Sequence, residues 1–187
     1  ERSFFLAPYN ELVTLRWSSG IHKDRRELKL THIDIRPKYM WYEFEVRTKD
    51  NVELVIGITF FWQIVDVEAM IRMTDDTAGD VCSHARSTII QAVSKVTLEG
   101  FLDDFNNIVR NAAMGEGEVA FYNERGVQIN AVEVRSVACK DPETQAILME
   151  IIQETTNRLN RLQKQESENE VQLKKLHGEI ESENARG

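Results

Sequence analysis

The chain has 187 residues, of which 42% are hydrophobic and 29% charged. This composition is typical of a folded domain and excludes a disordered or membrane-embedded chain. The formal net charge of −8, from 31 acidic and 23 basic residues, argues against a general binder of nucleic acids or acidic membranes, because phosphate groups are held by clustered lysine and arginine.

The first part of the chain alternates between apolar and polar residues, which predicts β-strands. Residues 11–17 predict a first strand. Residues 28–35 predict a second, with a kink near His32, and Pro37 ends it because proline cannot donate to a strand ladder. The segment between the two strands contains the basic run 22–26, which we interpret as a solvated loop in preference to a site for an acidic partner.

The strongest local signal is a long hairpin formed by residues 40–48 and 52–64. Both segments alternate strictly, and Lys49, Asp50 and Asn51 supply the turn between them. Gly57 predicts a bend or bulge in the second strand. We assign half of the hairpin aromatics to each face, which predicts a covered core face and a subunit contact; these aromatics are Trp41, Tyr42, Phe44, Phe60, Phe61 and Trp62.

Helical periodicity begins after the hairpin. Asp66 predicts the N-cap of a short helix ending at Met73, and apolar steps of three and four predict a longer helix over 77–96. Further helices are predicted around 101–109 and 119–123, the latter closed by Gly126 as a left-handed cap. A final strand follows over 127–134, and a change of parity at 130–131 predicts a bulge.

The last 47 residues predict one long helix, because Asp141 and Pro142 form a good helix start and no helix breaker follows before Gly178. At 1.5 Å per residue this helix reaches about 70 Å, too long to bury its stripe on its own small domain. Steps of four and three define a heptad seam: Leu148, Ile152, Thr155, Leu159, Leu162, Glu166, Asn169, Leu173, Leu176 and Ile180. The alternative is a stable helix only to about residue 163.

No catalytic, cofactor or metal site is predicted. The histidines are scattered, no Cys/His set has zinc-ligand spacing, and no phosphate-binding glycine loop is present. Cys82 and Cys139 read as buried small hydrophobes, since His84 is two residues from Cys82 and points to another side of a helix. The acidic pairs at 75–76 and 103–104 are expected to cap helices or face solvent.

Three segments carry a resemblance to a known family. They are residues 13–23 (VTLRWSSGIHK), residues 78–105 (AGDVCSHARSTIIQAVSKVTLEGFLDDF) and residues 126–145 (GVQINAVEVRSVACKDPETQ). The chain resembles the SPFH or band 7 family, and within it the shoulder domain of vault shell proteins. The fold expected from pattern and resemblance together is α+β: a mostly antiparallel sheet packed against helices, followed by the long C-terminal helix.

The resemblance implies three parts: residues 1–10 as the end of a preceding rod repeat, 11–140 as the shoulder domain, and 141–187 as the start of a cap or coiled-coil helix. It implies a structural, self-assembling subunit of the vault ribonucleoprotein particle, without catalytic residues or cofactors. The partners would be many copies of itself, with RNA and associated proteins held by other components and no direct contact with nucleic acid or membrane. The expected location is the cytoplasm, with the nucleus as a second compartment.

In this interpretation the seam drives lateral association through its apolar members, and its polar members fix the register. The apolar members are Leu148, Ile152, Leu159, Leu162, Leu173, Leu176 and Ile180. Two alternatives stay open: a membrane-associated scaffold of the stomatin or prohibitin type, and an enzyme with an unrecognised site, for example at Cys82 or His84.

Overall fold

The computed structural model describes residues 5–184, of which positions 155, 159, 163, 166–168 and 170–184 are described by backbone alone. The chain forms two units, Glu1–Asp141 and Pro142–Gly187. The elements of the first unit are β1 (Leu15–Ser19), β2 (Arg25–Leu30), β3 (Lys38–Arg47), β4 (Glu53–Ile64), α1 (Val67–Met73), α2 (Thr77–Val93), α3 (Leu98–Met114), α4 (Glu116–Glu124) and β5 (Val127–Cys139). The second unit is the single helix α5 (Pro142–Asn184).

The predicted hairpin is present and forms the centre of an antiparallel sheet with strand order β3-β4-β5. One face of this sheet carries the core, and the side chains on it alternate with those of the opposite face as predicted. Tyr42, Ile56, Ile58 and Phe60 are fully buried there. Tyr42 also donates a hydrogen bond of 3.2 Å from its hydroxyl to the carbonyl of Cys82, which joins the sheet to α2.

The last strand, β5, runs the length of β4 and contains two bulges. The pairing steps from Phe61–Ala131 to Trp62–Ile129, so Asn130 is the extra residue, which confirms the bulge predicted from the parity change. A second step, beside Gly57, leaves Arg135 as an extra residue. A side chain at Gly57 would meet the hydroxyl of Ser136, so this glycine permits the close approach of β5.

The helices begin at side-chain caps. Asp66, Asp76 and Thr97 each accept a hydrogen bond from a backbone N–H three residues later, and they start α1, α2 and α3. Gly126 has a φ of +64° after α4, which confirms the predicted left-handed residue. Asp50 of the hairpin turn accepts a hydrogen bond of 3.1 Å from the N–H of Leu98, which ties the turn to the start of α3.

The first two strands differ from the prediction. They form a separate two-stranded ribbon, β1-β2, and both are displaced from the predicted ranges 11–17 and 28–35. Nearly all of β2 is exposed, so apolar alternation was a weak guide to its ends. Residues 33–35 belong instead to the loop before β3, where Arg36 forms a bidentate contact with Asp34, including a hydrogen bond of 2.7 Å.

The two units together confirm the predicted fold class. The first is an α+β domain whose antiparallel sheet packs against helices. The second is a C-terminal helix of 43 residues that begins at Pro142. The helix over 77–96 was predicted three residues too long at its C-terminus, because residues 94–96 form a turn before Thr97 caps the next helix.

Candidate functional site

The helix α5 carries the predicted association seam. Its 43 residues extend about 65 Å at 1.5 Å per residue. Seam positions recur every three or four residues and therefore share one side of the helix. Proline supplies the first helical residue, where its missing N–H removes no intrahelical bond.

The structure gives the solvent exposure of three apolar residues of the seam. Leu148 is fully buried, whereas Ile152 and Leu162 are 40% and 51% exposed in the single chain. Large apolar side chains that stay exposed on a helix indicate a surface that can pack against another chain. The remaining apolar seam side chains lie outside the described residues: Leu159, Leu173, Leu176 and Ile180.

Two further apolar side chains of α5 were not predicted as part of the seam. Ile147 and Met149 flank Leu148, and both are more than half exposed. They lie outside a strict four-three repeat, so counting only that repeat missed them. The local sequence AILMEII over 146–152 contained the signal, because six apolar residues in seven cover more than one side of a helix.

Cys82 and His84 could act as a thiol nucleophile and its base only if they were in contact with each other. Their contacts in the first unit are different. Cys82 is buried in the core, with its Sγ 3.5 Å from the sulfur of Met40. Burial raises the pKa of the Cys82 thiol to about 12. A thiol with this pKa is almost entirely protonated at neutral pH and is a poor nucleophile.

We expect Cys82 to resist alkylation in the folded protein. Below pH 9, the thiol's usual pKa, both folded and unfolded states keep it protonated. Above pH 9 the unfolded thiol loses its proton first, so stability falls as the pH rises toward the folded value of about 12. Iodoacetamide labelling with and without denaturant, read by mass spectrometry, checks the resistance of Cys82 to alkylation. Labelling of Cys82 as rapid in the native as in the denatured protein would contradict it.

His84 makes its contacts with α4. Its Nε2 pairs with the carboxylate of Glu118, and its ring stacks on Phe121 with centroids 3.7 Å apart. The guanidinium of Arg125 lies 3.5 Å from the same Phe121 ring and 3.6 Å from the carboxylate of Asp80 on α2. These contacts fasten α4 to α2, so His84 has a packing role and forms no thiol–imidazole pair with Cys82.

The acidic pair at 75–76 fastens the ribbon. Asp76 is buried, and its two oxygens accept hydrogen bonds from the N–H and hydroxyl of Ser18 at 2.7 and 2.6 Å and from the N–H of Gly79 at 2.9 Å. Arg26, from the basic run, lies 3.2 Å from Asp76 and 3.5 Å from Asp75. The interpretation of the whole run as a loop was therefore wrong at Arg25 and Arg26, which lie in β2, and Arg26 also forms ion pairs within the chain.

The hairpin aromatics are not shared equally between the two faces of the sheet. Four of them lie on the core face: Tyr42, Phe44, Phe60 and Trp62. Only Trp41 and Phe61 lie on the opposite, outer face, together with Tyr39. The guanidinium of Arg135 lies 5.1 Å from the Trp41 ring. Tyr39 and Phe61 are exposed, and they pair across the sheet with Ala131 as the third member of their row.

Among the side chains that the structure describes, no group of three or more His, Cys, Asp or Glu residues could hold a metal ion. Within residues 5–184, no helix is both long and apolar enough to cross a membrane.

An α+β module with an antiparallel sheet, followed by a long heptad helix, is the arrangement expected of a shoulder domain. Comparison with known families supports this directly, since the shoulder-domain model of major vault proteins matches residues 36–141. The match covers more than half of the chain. This chain therefore belongs to the shoulder-domain family of major vault proteins.

Curated relatives extend the similarity beyond the matched domain. The major vault protein beta of Dictyostelium discoideum is 24% identical over 94% of this chain and 22% of its own length. The major vault proteins of Leishmania braziliensis and Danio rerio are 25% and 24% identical, each over 97% of this chain and 24% of the relative. The chain thus spans about a quarter of the length of these relatives. The wider relationship to the SPFH or band 7 family stays a prediction.

Proposed function

We propose that this chain is a structural, self-assembling subunit of a vault-type shell and has no enzymatic role. Residues 11–140 would form the shoulder that sets the spacing between copies, and residues 141–187 the start of the helix that associates laterally. Residues 1–10 would end a preceding rod repeat. The observation that carries the proposal is a 43-residue heptad helix that follows a shoulder domain and exposes seam residues in a single copy.

The partners proposed here follow from the same observation. The principal partner is the chain itself in many copies, since an exposed apolar helix stripe is buried most simply by the equivalent stripe of a neighbour. RNA and accessory proteins would be held by other components of the particle. The net charge of −8 disfavours direct binding of nucleic acid. The proposed location is the cytoplasm, with the nucleus as a second compartment.

The experiment uses the natural full-length polypeptide that contains these residues. In one variant, Ile152→Asp and Leu162→Asp place carboxylates on the seam. We expect the association constant to fall by roughly a hundred-fold or more, because each of the two buried charges costs at least ~1.4 kcal/mol, a factor of ten. Sedimentation velocity over a concentration series measures the change.

The matched control is Gln153→Asp with Asn160→Asp, which adds the same charge to exposed positions just beside the seam. This control should assemble as the wild type does. A second variant lacking residues 141–187 should lose lateral association while the first unit stays folded. Assembly that is unchanged in both the seam variant and the truncated variant would overturn the proposal.

A further inference from the structure

The β1-β2 ribbon is a basic segment of an acidic chain. Residues 15–30 contain five lysine or arginine residues and two acidic residues, which gives this segment a net charge of +3. Because the whole chain carries −8, the rest of it carries −11. One of the five basic residues, Arg26, is neutralised by its ion pairs with Asp75 and Asp76. The ribbon therefore keeps positive charge on a chain whose other parts repel an acidic partner.

Two of the remaining basic residues stand directly opposite each other. Arg16 of β1 is in register with Lys29 of β2. The N–H of Arg16 points away from β2 and donates to the carbonyl of Asp75 at 3.0 Å. Arg16 and Lys29 therefore form a non-hydrogen-bonded pair, the kind in which opposite side chains lie closest. Like charges in this position destabilise an antiparallel pair of strands.

The repulsion between Arg16 and Lys29 is not compensated within the chain. Both residues are exposed, whereas Leu15 and Trp17, on the other side of β1, are buried. Among the residues that the structure describes, no ion pair involves Arg16, Lys29 or Glu27, the acid two residues before Lys29. An unfavourable local arrangement that a folded chain retains without compensation indicates a functional surface.

Protection of a strand edge does not account for the pair. Charged residues on an open edge strand prevent another strand from pairing with it, and β2 has such an open edge in the two-stranded ribbon. Edge protection therefore explains basic residues on β2, including Lys29. Arg16 lies on β1, whose outer side is already bonded to the carbonyl of Asp75. The charge of Arg16 protects no open edge and needs another explanation.

Charge and size identify the kind of partner. The six residues of β2 extend about 20 Å at ~3.3 Å per residue, and the ribbon exposes Arg16, Arg25 and Lys29. A few carboxylates on a short protein segment fit this length, and they form charge-assisted hydrogen bonds with arginine and lysine. A nucleic acid continues its phosphate charge far beyond 20 Å, where it meets the acidic remainder of the chain. The ribbon therefore suits an acidic protein segment better than a nucleic acid.

We propose that the exposed face of the β1-β2 ribbon binds an acidic segment of a partner protein, with Arg16 and Lys29 at the centre of the contact. A carboxylate between these two side chains removes their mutual repulsion and accepts hydrogen bonds from both. The ring of Trp17 packs on that of Trp62 with centroids 5.8 Å apart, which holds β1 in place before the partner binds. This contact goes beyond the proposed function, which gives the shoulder domain no partner other than the chain itself.

The test measures binding of a fluorescein-labelled peptide of about eight glutamates, ~26 Å when extended, to the natural full-length polypeptide by fluorescence anisotropy. Arg16→Glu and Lys29→Glu should each weaken binding roughly ten-fold or more, because each removes an attraction and adds a repulsion. The matched controls are Lys95→Glu and Arg110→Glu, at exposed basic positions outside the ribbon. At ~0.15 M salt, which screens distant charges, they should change binding by no more than roughly two-fold.

Three results would overturn the proposal. The first is that the peptide does not bind, or that the control variants weaken its binding as much as the ribbon variants do. The second is that an oligouridylate RNA of the same length binds more tightly than the peptide and through Arg16 and Lys29. The third is that Arg16→Glu lowers self-association in sedimentation velocity while the peptide does not bind, which would assign this face to a second copy.

Arg16→Gln provides an independent readout. This variant removes one of two repelling charges, so its melting temperature should equal or exceed that of the wild type, while peptide binding falls. A lower melting temperature would show that Arg16 stabilises the fold and would contradict the proposal. The α5 variants test the proposed assembly separately, so failure of one idea is distinguishable from failure of the other.

Discussion

Replacement of Asp76 by alanine is expected to lower the free energy of unfolding by about 3 kcal/mol, because it leaves buried donors without an acceptor. The carboxylate is buried and accepts from the N–H and hydroxyl of Ser18 and from the N–H of Gly79. It is also the N-cap of α2. A lost cap alone costs about 1 kcal/mol, and each buried donor left unsatisfied costs about as much or more. Urea denaturation measures the loss.

The neighbouring acid provides the matched control. The side chain of Asp75 is 58% exposed, and its contact with Arg26 is 3.5 Å long. Exposed ion pairs of this kind contribute little to the stability of the folded protein. Asp75→Ala should therefore change the free energy of unfolding by no more than about 0.5 kcal/mol. Comparable losses in the two variants would show that the buried hydrogen bonds of Asp76 are not the cause.

Hydrogen exchange gives a local measure of the same change. Within residues 5–141, the ribbon β1-β2 is a sheet separate from β3-β4-β5, and isolated two-stranded ribbons are only marginally stable. In Asp76→Ala, the amides of β1 should therefore exchange faster, while those of the β3–β4 hairpin keep their protection. Equal loss of protection in both sheets would mean that Asp76 stabilises the whole unit and not mainly the attachment of the ribbon.

The hairpin and the bulge were predictable because local sequence determines them. Strict alternation assigns each side chain to a face, and Tyr42 and Ile56 accordingly lie on the buried one. A bulge shifts that alternation by one residue, so the parity change at Asn130 identified it. The second bulge, at Arg135, was missed because the strand was predicted only over 127–134, and just two small residues, Val137 and Cys139, follow the bulge on the core face.

The ribbon could not be predicted in the same way. Its attachment depends on Ser18 and Asp76, which are 58 residues apart, and on charged side chains such as Arg26. Hydrophobic periodicity contains no information on polar contacts between distant segments. The pairing of His84 with Glu118, 34 residues away, escaped prediction for the same reason.

The exposed apolar surfaces also differ in how well the sequence predicts them. The seam of α5 follows a heptad repeat, so its positions, including Ile152 and Leu162, could be read from spacing alone. Alternation also indicated that some hairpin aromatics, such as Phe61, lie on a face other than the core. The exposed apolar residues of α1, such as Ile71, were not predicted, because an apolar residue in a periodic element reads as core. Only the packing of the whole domain reveals which apolar side chains stay exposed.

The same substitution, glycine to alanine, should have three different effects in this chain. At Gly126, φ is +64° and an added Cβ would collide with the backbone carbonyl of Asp66 at the start of α1. The carbonyl of Gly126 itself accepts from Val65 and Asp66, so neither segment can move without losing hydrogen bonds. The left-handed backbone costs about 1 kcal/mol with alanine, and the collision raises the loss to about 3 kcal/mol.

At Gly20, also left-handed at +78° but open, only the first cost of about 1 kcal/mol applies. At Gly117, in the first turn of α4 with open space around it, alanine should be neutral or stabilising by up to about 0.5 kcal/mol. Thermal and urea denaturation of the three variants test this order, and a Gly126→Ala protein as stable as Gly20→Ala would show that the junction between β4 and α1 yields to the added methyl group.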